Sequence, residues 1–265
     1  MSDYDVRFGG VARLYGHELA TRIKDLHLVV AGLGGVGSWA AEGLVRTGVG
    51  KITLIDMDDI ALSNSNRQLH TLSSTLGQSK AEVLAARFKD INPDLQVNIV
   101  DDFIMAAEPF AHIPDSADGV LDAIDSLQAK VALLAACVRH KLPVVTTGGA
   151  GGQIDPSQIR IADVAKVQQD PLMAKVRNTL RRNYGFTRNP KRKFGIDCVY
   201  SEEQLRYPLE NGGVTYAKSG EAARNLDCAT GFGASVMVTS SFGMMAAAQL
   251  LKRVLPRETP GSAQR

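Results

Sequence analysis

The sequence predicts an α/β fold built on a doubly wound, mostly parallel sheet. Short apolar segments alternate with helical patterns through the first 150 residues. Strands separated by helices in this way are typical of a parallel sheet with helices on both faces. The first strand also leads into a glycine turn and a helix, which is typical of a Rossmann-like nucleotide fold.

The predicted elements follow one another in a regular order. Strands are predicted at 27–31, 51–56, 96–101, 119–125 and 142–147. Helices are predicted at 38–48, 79–91 and 127–141. Ligands of such sheets bind at the carboxyl ends of the strands, so we look for a site at that edge.

The alternation fades after Thr147. We predict that residues 163–227 form a C-terminal insertion or lobe laid on the nucleotide fold, within a single domain over 1–256. Residues 257–265 are predicted to be a flexible tail.

Composition sets limits on the function. The net charge is +2, so nucleic-acid contact requires a local basic patch. Cys137, Cys198 and Cys228 are odd in number and form no C-x-x-C pair, which argues against a disulfide framework and a zinc knuckle. A polar, charged N-terminus is not a signal peptide, and the prediction is a cytoplasmic protein.

Residues 229–251 carry no charge and are numerous enough to span a bilayer. They are rich in Gly, Ala, Ser and Thr rather than Leu and Ile. We favour a buried helix of a large α/β core, with membrane association as the alternative.

The glycine turn predicts a nucleotide site. Gly32, Gly34 and Gly37 satisfy G-x-G-x-x-G, with Gly35 as an extra glycine, between a strand and a helix. Asp56 follows the next strand, where a carboxylate can accept hydrogen bonds from ribose hydroxyls. The motif alone does not choose between NAD and ATP.

The segment after Asp56 favours a triphosphate. It contains Asn64, Arg67 and Gln68 and, at the start of a helix, Lys80. Guanidinium and ammonium groups suit the β- and γ-phosphates, whereas hydride transfer needs little cationic material there.

Two carboxylates end the fourth predicted strand. Asp122 is predicted to be a packing or capping group. Asp125 lies at the carboxyl edge, where Mg²⁺ needs only one or two carboxylates besides phosphate oxygens. An N-cap for the following helix is the alternative for Asp125, and it is compatible with that role.

Together these motifs resemble the ubiquitin-activating-enzyme-like superfamily, which includes the adenylyltransferases of molybdopterin and thiamine biosynthesis. The resemblance covers about residues 7–252. It is carried by GLGGVG (32–37), DMDD (56–59), SNSNRQ (63–68), Lys80 and DAID (122–125). Within the superfamily the chain resembles the bacterial tRNA threonylcarbamoyladenosine dehydratases, through RFGGVARLYG (7–16), TTGGAGGQIDP (146–156), QDPL (169–172) and LDCATGFGA (226–234).

The resemblance implies a reaction. ATP activates the carboxylate of threonylcarbamoyladenosine beside the anticodon of tRNA, and the carbamoyl group of the same modification closes a ring on the acyl-adenylate. The implied catalytic residues are Arg67, Lys80 and Asp125, with Asp125 on Mg²⁺ and Asp56 on the ribose. The implied ATP-binding residues are Gly32, Gly34, Gly35, Gly37, Asp56, Asp58, Ser63, Asn64, Asn66, Arg67, Gln68, Lys80, Asp125 and Ser126.

The resemblance also implies a homodimer, because an N-terminal Arg of the adenylyltransferases reaches the neighbouring subunit's ATP. Arg7 and Arg13 both compete for that role. The zinc-binding cysteine pairs of those relatives are missing, so no zinc is expected. Cys228 is a candidate for sulfur or acyl transfer, with a sulfur-transfer protein as partner, or else a buried apolar residue.

A basic segment between Leu172 and Phe194 predicts tRNA contact. Its cations are interleaved with Tyr184, Phe186 and Phe194, which suits backbone neutralisation and base stacking; a solvated loop is the alternative. The predicted tRNA-binding residues are Lys175, Arg177, Arg181, Arg182, Arg188, Lys191, Arg192 and Lys193.

Three other functions stay open on the sequence alone. An adenylyltransferase could activate the C-terminus of a small sulfur-carrier protein. A membrane-tethered nucleotide-binding protein could use residues 229–251 as its anchor. An NAD dehydrogenase shares the glycine motif.

Overall fold

A mixed sheet forms the centre of the fold in a computed structural model, which describes residues 2–209, 211–217 and 232–256. Within those residues the sheet has seven strands. They are β1 (His27–Ala31), β2 (Lys51–Ile55), β3 (Gln96–Val100), β4 (Gly119–Asp122), β5 (Val144–Thr147), β6 (Ile159–Asp163) and β7 (Asp197–Ser201).

The strand order is β3-β2-β1-β4-β5-β7-β6. All neighbours pair in parallel except β6, which is antiparallel to β7 at one edge. The doubly wound, mostly parallel sheet predicted from the sequence is confirmed. Because β7 pairs with β5, residues 197–201 belong to the main sheet, and the prediction that all of 163–227 is laid on that fold was wrong for this strand.

Helices cover both faces of the sheet. They are α1 (Asp3–Tyr15), α2 (His17–Asp25), α3 (Gly37–Arg46), α4 (Lys80–Ile91), α5 (Leu127–Arg139), α6 (Pro171–Asn183) and α7 (Val236–Val254). One hydrophobic cluster includes residues of α3, α4 and α7, and a second includes residues of α5 and α6. A small hairpin pairs β8 (Tyr207–Pro208) with β9 (Val214–Thr215).

Helix α7 contains most of the uncharged run. Val238, Phe242 and Leu250 are fully buried, and the helix packs on α3 and on β4, β5 and β7. In the described residues, no helix combines the length and apolarity that crossing a membrane requires. The buried-helix prediction is confirmed for residues 236–251, whereas 229–231 lie outside the described residues, as does the predicted tail at 257–265.

A buried ion pair joins β4 to α5. The Lys130 ammonium lies 2.7 Å from Asp122 Oδ2, and neither side chain is exposed to solvent. Thr146 of β5 donates to the same carboxylate oxygen at 2.6 Å, and Asp122 Oδ1 accepts from the Ile124 amide. The carboxylate therefore fixes two strands, the helix and the turn between β4 and α5, which confirms the predicted capping role of Asp122.

We expect Lys130→Met to lower the free energy of unfolding by about 3–5 kcal/mol, because the Asp122 carboxylate would stay buried without its partner. Urea unfolding followed by circular dichroism measures this change. Arg22→Met is the matched control: Arg22 pairs with Asp118 at 3.0 Å but is 47% exposed, and its loss should change stability by less than about 1 kcal/mol. Equal losses in the two variants would contradict the prediction.

Candidate nucleotide site and basic surface

A cavity of about 740 Å³ opens at the carboxyl ends of the parallel strands. The segments that follow β1, β2, β3, β4 and β5 all contribute to its lining, together with residues at the start of α7. Eleven of the predicted ATP-binding residues line it: Gly32, Gly34, Gly35, Asp56, Asp58, Asn64, Arg67, Gln68, Lys80, Asp125 and Ser126.

The glycine turn depends on close backbone contact. Gly32 has φ +86°, and a Cβ atom there would lie 2.8 Å from the Ala123 carbonyl oxygen. A Cβ at Gly37 would lie 1.8 Å from the Gly32 carbonyl oxygen. Gly37 therefore permits the packing of the turn and does not itself line the cavity. The helix α3 begins at this residue, so its N-terminal amides and positive dipole end lie beside the cavity.

The Asp56 carboxylate, which directly follows β2, is hydrogen-bonded to the glycine turn. Its Oδ2 accepts from the Leu33 amide at 2.6 Å and its Oδ1 accepts from the Asp58 amide at 2.9 Å. Burial raises the pKa of Asp56, although these amides and the charge of Lys80 oppose the rise. Asp56 is 8% exposed and lines the cavity. This position suits a residue that accepts hydrogen bonds from a bound ligand.

Lys80 brings a buried cation to the cavity. It begins α4, after Ser79, whose hydroxyl caps the helix by accepting from the Glu82 amide. The ammonium pairs at 2.7 Å with Asp58, whose side chain is 53% exposed while that of Lys80 is 6% exposed. A cation held by a solvated partner can turn to an anionic ligand without leaving a buried carboxylate unpaired.

Arg67 faces the glycine turn. A Cβ at Gly35 would lie 2.9 Å from Arg67 Cγ. The guanidinium donates to the Ser63 carbonyl at 3.0 Å and to Asn66 Oδ1 at 3.1 Å. Ser63 and Asn66 do not line the cavity, but both are hydrogen-bonded to the Arg67 side chain, which does. Asn66 also donates to the Ala234 carbonyl.

Asp125 is exposed at the cavity between β4 and α5. The N-cap position of α5 belongs to Ser126, so the alternative prediction of an N-cap role for Asp125 was wrong. Within the described ranges Asp125 forms no ion pair, and no three His, Cys, Asp or Glu side chains cluster as a metal site would require. A single carboxylate beside phosphate oxygens remains suited to Mg²⁺.

Two segments of the lining, 102–106 and 147–151, are not among the residues predicted from the sequence. Each follows a parallel strand, β3 or β5, so the rule that ligands bind at carboxyl ends was the signal that could have found them. The missed lining residues also include Gln128, Leu172, Phe232, Ala234 and Thr239. Gln128 follows Asp125 closely in the chain, whereas the other four come from distant parts of the chain and reach the cavity only through packing.

Neither N-terminal arginine lines the cavity of its own chain. Both are exposed on α1, and Arg7 donates to the Ile91 carbonyl at the end of α4. Cys228 lies outside the described residues. Cys137 of α5 is fully buried, and burial raises its pKa to about 12.

The basic segment spans α6 and the loop that follows it. Arg177 donates to the Val167 carbonyl and Arg181 to the Thr187 carbonyl, so both are partly held by the protein. Phe194 is buried and packs edge-on against Phe186 at 4.9 Å; the prediction that Phe194 is available for base stacking was wrong. The exposed cations, here named the basic surface, are Lys175, Arg182, Arg188, Lys191, Arg192 and Lys193.

The fold and the cavity define a Rossmann-like α/β protein with a nucleotide site at the carboxyl edge of its sheet. The model of the ThiF family matches residues 10–265. The chain belongs to the ThiF family.

Similar proteins match the chain almost end to end. The tRNA threonylcarbamoyladenosine dehydratase of Escherichia coli (strain K12) is 50% identical over 252 residues, which cover 95% of this chain and 94% of that one. The protein of that name from Haemophilus influenzae (strain ATCC 51907 / DSM 11121 / KW20 / Rd) is 46% identical, covering 98% and 97%. A crystal structure of the E. coli enzyme in complex with ATP superposes with a TM-score of 0.84 at 47% identity, covering 96% of each chain.

Proposed function

We propose that this chain is an ATP-dependent enzyme that cyclises threonylcarbamoyladenosine, with loss of water, beside the anticodon of tRNA. The observation that carries the proposal is the nearly full-length match to tRNA threonylcarbamoyladenosine dehydratases, one of them solved with ATP. The cavity agrees with it, because the glycine turn, Arg67 and Lys80 meet there. The enzyme acts on tRNA and, we propose, in the cytoplasm.

The chemistry explains why ATP is needed. A carboxylate is a poor acyl donor because oxide is a poor leaving group. Attack of the carboxylate on the α-phosphorus breaks the bond to pyrophosphate and forms an acyl-adenylate. A nitrogen or oxygen of the carbamoyl group then attacks the acyl carbon, releases AMP and closes the ring. The nucleoside loses one water, whose oxygen leaves on AMP.

The residues of this chain would position the nucleotide and neutralise its charge. Amides of the glycine turn approach the phosphates, and Asp56 accepts hydrogen bonds from the ribose. Lys80 and Arg67 stabilise charge on the phosphates as pyrophosphate leaves. Asp125 would hold Mg²⁺, which supplies charge neutralisation to the phosphate oxygens when bound.

The carrier-protein and membrane-tethered alternatives gain less support. The match extends over nearly the full length of the dehydratases, and no specific feature of the described residues favours activation of a carrier protein. Docking of a sulfur-transfer protein and the absence of zinc stay predictions. The membrane-tethered alternative loses its anchor over 236–251, because α7 packs in the core.

We also propose a homodimer. Val6 and Leu14 of α1 are 68% and 78% exposed, and Leu62 and Met237 are 71% and 64% exposed. The resemblance to the adenylyltransferases implies that, in such a dimer, Arg7 or Arg13 reaches the cavity of the partner. Either arginine could then reach the nucleotide of the partner.

Nucleoside mass analysis of tRNA incubated with protein, ATP and Mg²⁺ tests the function: threonylcarbamoyladenosine should lose one water. Lys80→Ala should slow this loss by about 10²–10³-fold, because a cation facing the developing charge is removed. Lys89→Ala, an exposed lysine of the same helix, should have no effect. Turnover that persists in Lys80→Ala would refute the role given to Lys80. Turnover that persists in wild type after chelation of Mg²⁺ would refute the role given to the metal.

The basic surface is tested by Arg192→Ala with Lys193→Ala. This pair of substitutions should weaken tRNA binding. It should also reduce the steepness of the plot of log K against log salt concentration by about 2, because about one counterion is released per phosphate contact. ATP affinity should not change. The matched pair Lys89→Ala with Lys252→Ala removes two exposed lysines elsewhere. Equal weakening by both pairs would show a general charge effect and not a binding surface.

Sedimentation equilibrium tests the dimer, for which we expect twice the 28.4 kDa of one chain. Val6→Glu with Leu14→Glu should shift the equilibrium toward monomer, because exposed apolar side chains on α1 would become charged. The same pair of charges at Leu72 and Leu76, which are 58% and 39% exposed, is the control. A wild-type protein that sediments as a monomer at about 10 µM would contradict the proposal.

A further inference from the structure

A buried histidine lies directly behind the cavity wall. His70 is 2% exposed and does not line the cavity. Its Nε2 lies 3.0 Å from Oε1 of Gln68. An amide oxygen can only accept a hydrogen bond, so the proton of the imidazole is on Nε2. Nδ1 then keeps its lone pair, and it has no hydrogen-bond partner within the structure that is described.

This hydrogen bond fixes which end of the Gln68 amide faces the cavity. Gln68 lines the cavity, and its Nε2 is 3.9 Å from where a Cβ of Gly34 would lie. The oxygen is occupied by His70, and the two N–H bonds are left on the side of the glycine turn. A flipped amide would instead present its oxygen toward anionic phosphates and its NH₂ toward the imidazole.

We infer that His70 is a positioning residue for phosphate binding: its Nε2–H holds the Gln68 amide with the donor end toward the glycine turn. This inference rests on the proposed ATP site. His70 touches no ligand itself, and its contribution passes entirely through Gln68. No other residue in the described ranges is hydrogen-bonded to the Gln68 side chain.

The charge state of His70 fits this role. Burial lowers its pKa to about 4, and the nearby charge of Lys80 lowers it as well. The imidazole is therefore neutral at neutral pH and adds no second cation beside Lys80. A cationic ring would also carry a proton on Nδ1 and would bury a second donor where no acceptor lies within the described residues.

A double-mutant cycle separates this role from simple packing. The variants are His70→Leu, Gln68→Ala and the double variant, and calorimetry with ATP and Mg²⁺ gives the dissociation constants. We expect His70→Leu to weaken ATP binding about fivefold to tenfold, the effect of one lost hydrogen bond. In the Gln68→Ala background, His70→Leu should cause no further weakening.

The conservative variant is His70→Gln, whose Nε2 reaches about as far as that of histidine and can donate to Gln68. It should bind ATP within about twofold of wild type, while adenosine, which has no phosphate, should bind all variants alike. Equal weakening by His70→Leu in both backgrounds, or failure of His70→Gln to restore binding, would overturn the inference. If wild type itself binds no ATP, the proposed function fails.

Wild-type protein offers a second measurement that needs no variant. Long-range ¹H–¹⁵N correlation spectra report which imidazole nitrogen carries the proton. We expect His70 in the Nε2–H form at neutral pH, with and without ATP. The Nδ1–H form would make Nε2 an acceptor, reverse the amide and overturn the inference whether or not ATP binds.

Discussion

The close approach of the glycine turn to the end of β4 is the constraint on which the site depends. Side chains at Gly32 and Gly37 would collide with backbone oxygens of Ala123 and Gly32. Only residues without a Cβ allow α3 to start so close to β1 and β4, and this closeness aims the first amides of the helix at the cavity. Asp56 and Gln68 are then arranged around a turn whose position is already fixed by packing.

The positive charge of the cavity comes from Lys80 and Arg67, which line it, and not from the small net charge of +2 of the whole chain. Lys80 is buried but paired with a solvated carboxylate, and Arg67 is held by Ser63 and Asn66. Both cations are therefore already held beside the cavity before a ligand arrives, and Lys80 can turn to a phosphate without leaving a buried carboxylate unpaired. His70 contributes orientation without charge.

Local signals account for the parts that the sequence predicted well. Five parallel strands and the glycine turn follow from short apolar runs and from residues near one another in the chain. The strand β7 escaped prediction because its partners, β5 and β6, are distant in sequence and its flanks show no regular alternation. Phe194 was misjudged because interleaving with cations does not reveal which face a side chain takes. The lining residues Phe232, Ala234 and Thr239 reach the cavity only through tertiary packing, whereas 102–106 follows β3 and lies where the carboxyl-end rule places a ligand.

The Lys130–Asp122 pair also bears on how the strands find their register. Its two charges are removed from water together, and only when α5 lies over β4 with Thr146 of β5 alongside. A one-residue slip of β4 against β5 would turn Asp122 to the other face of the sheet and bury an unmatched ammonium. The buried ion pair therefore raises the free energy of a misaligned sheet more than an apolar contact at the same place would. The correct alignment is also the one that places Asp125 at the cavity.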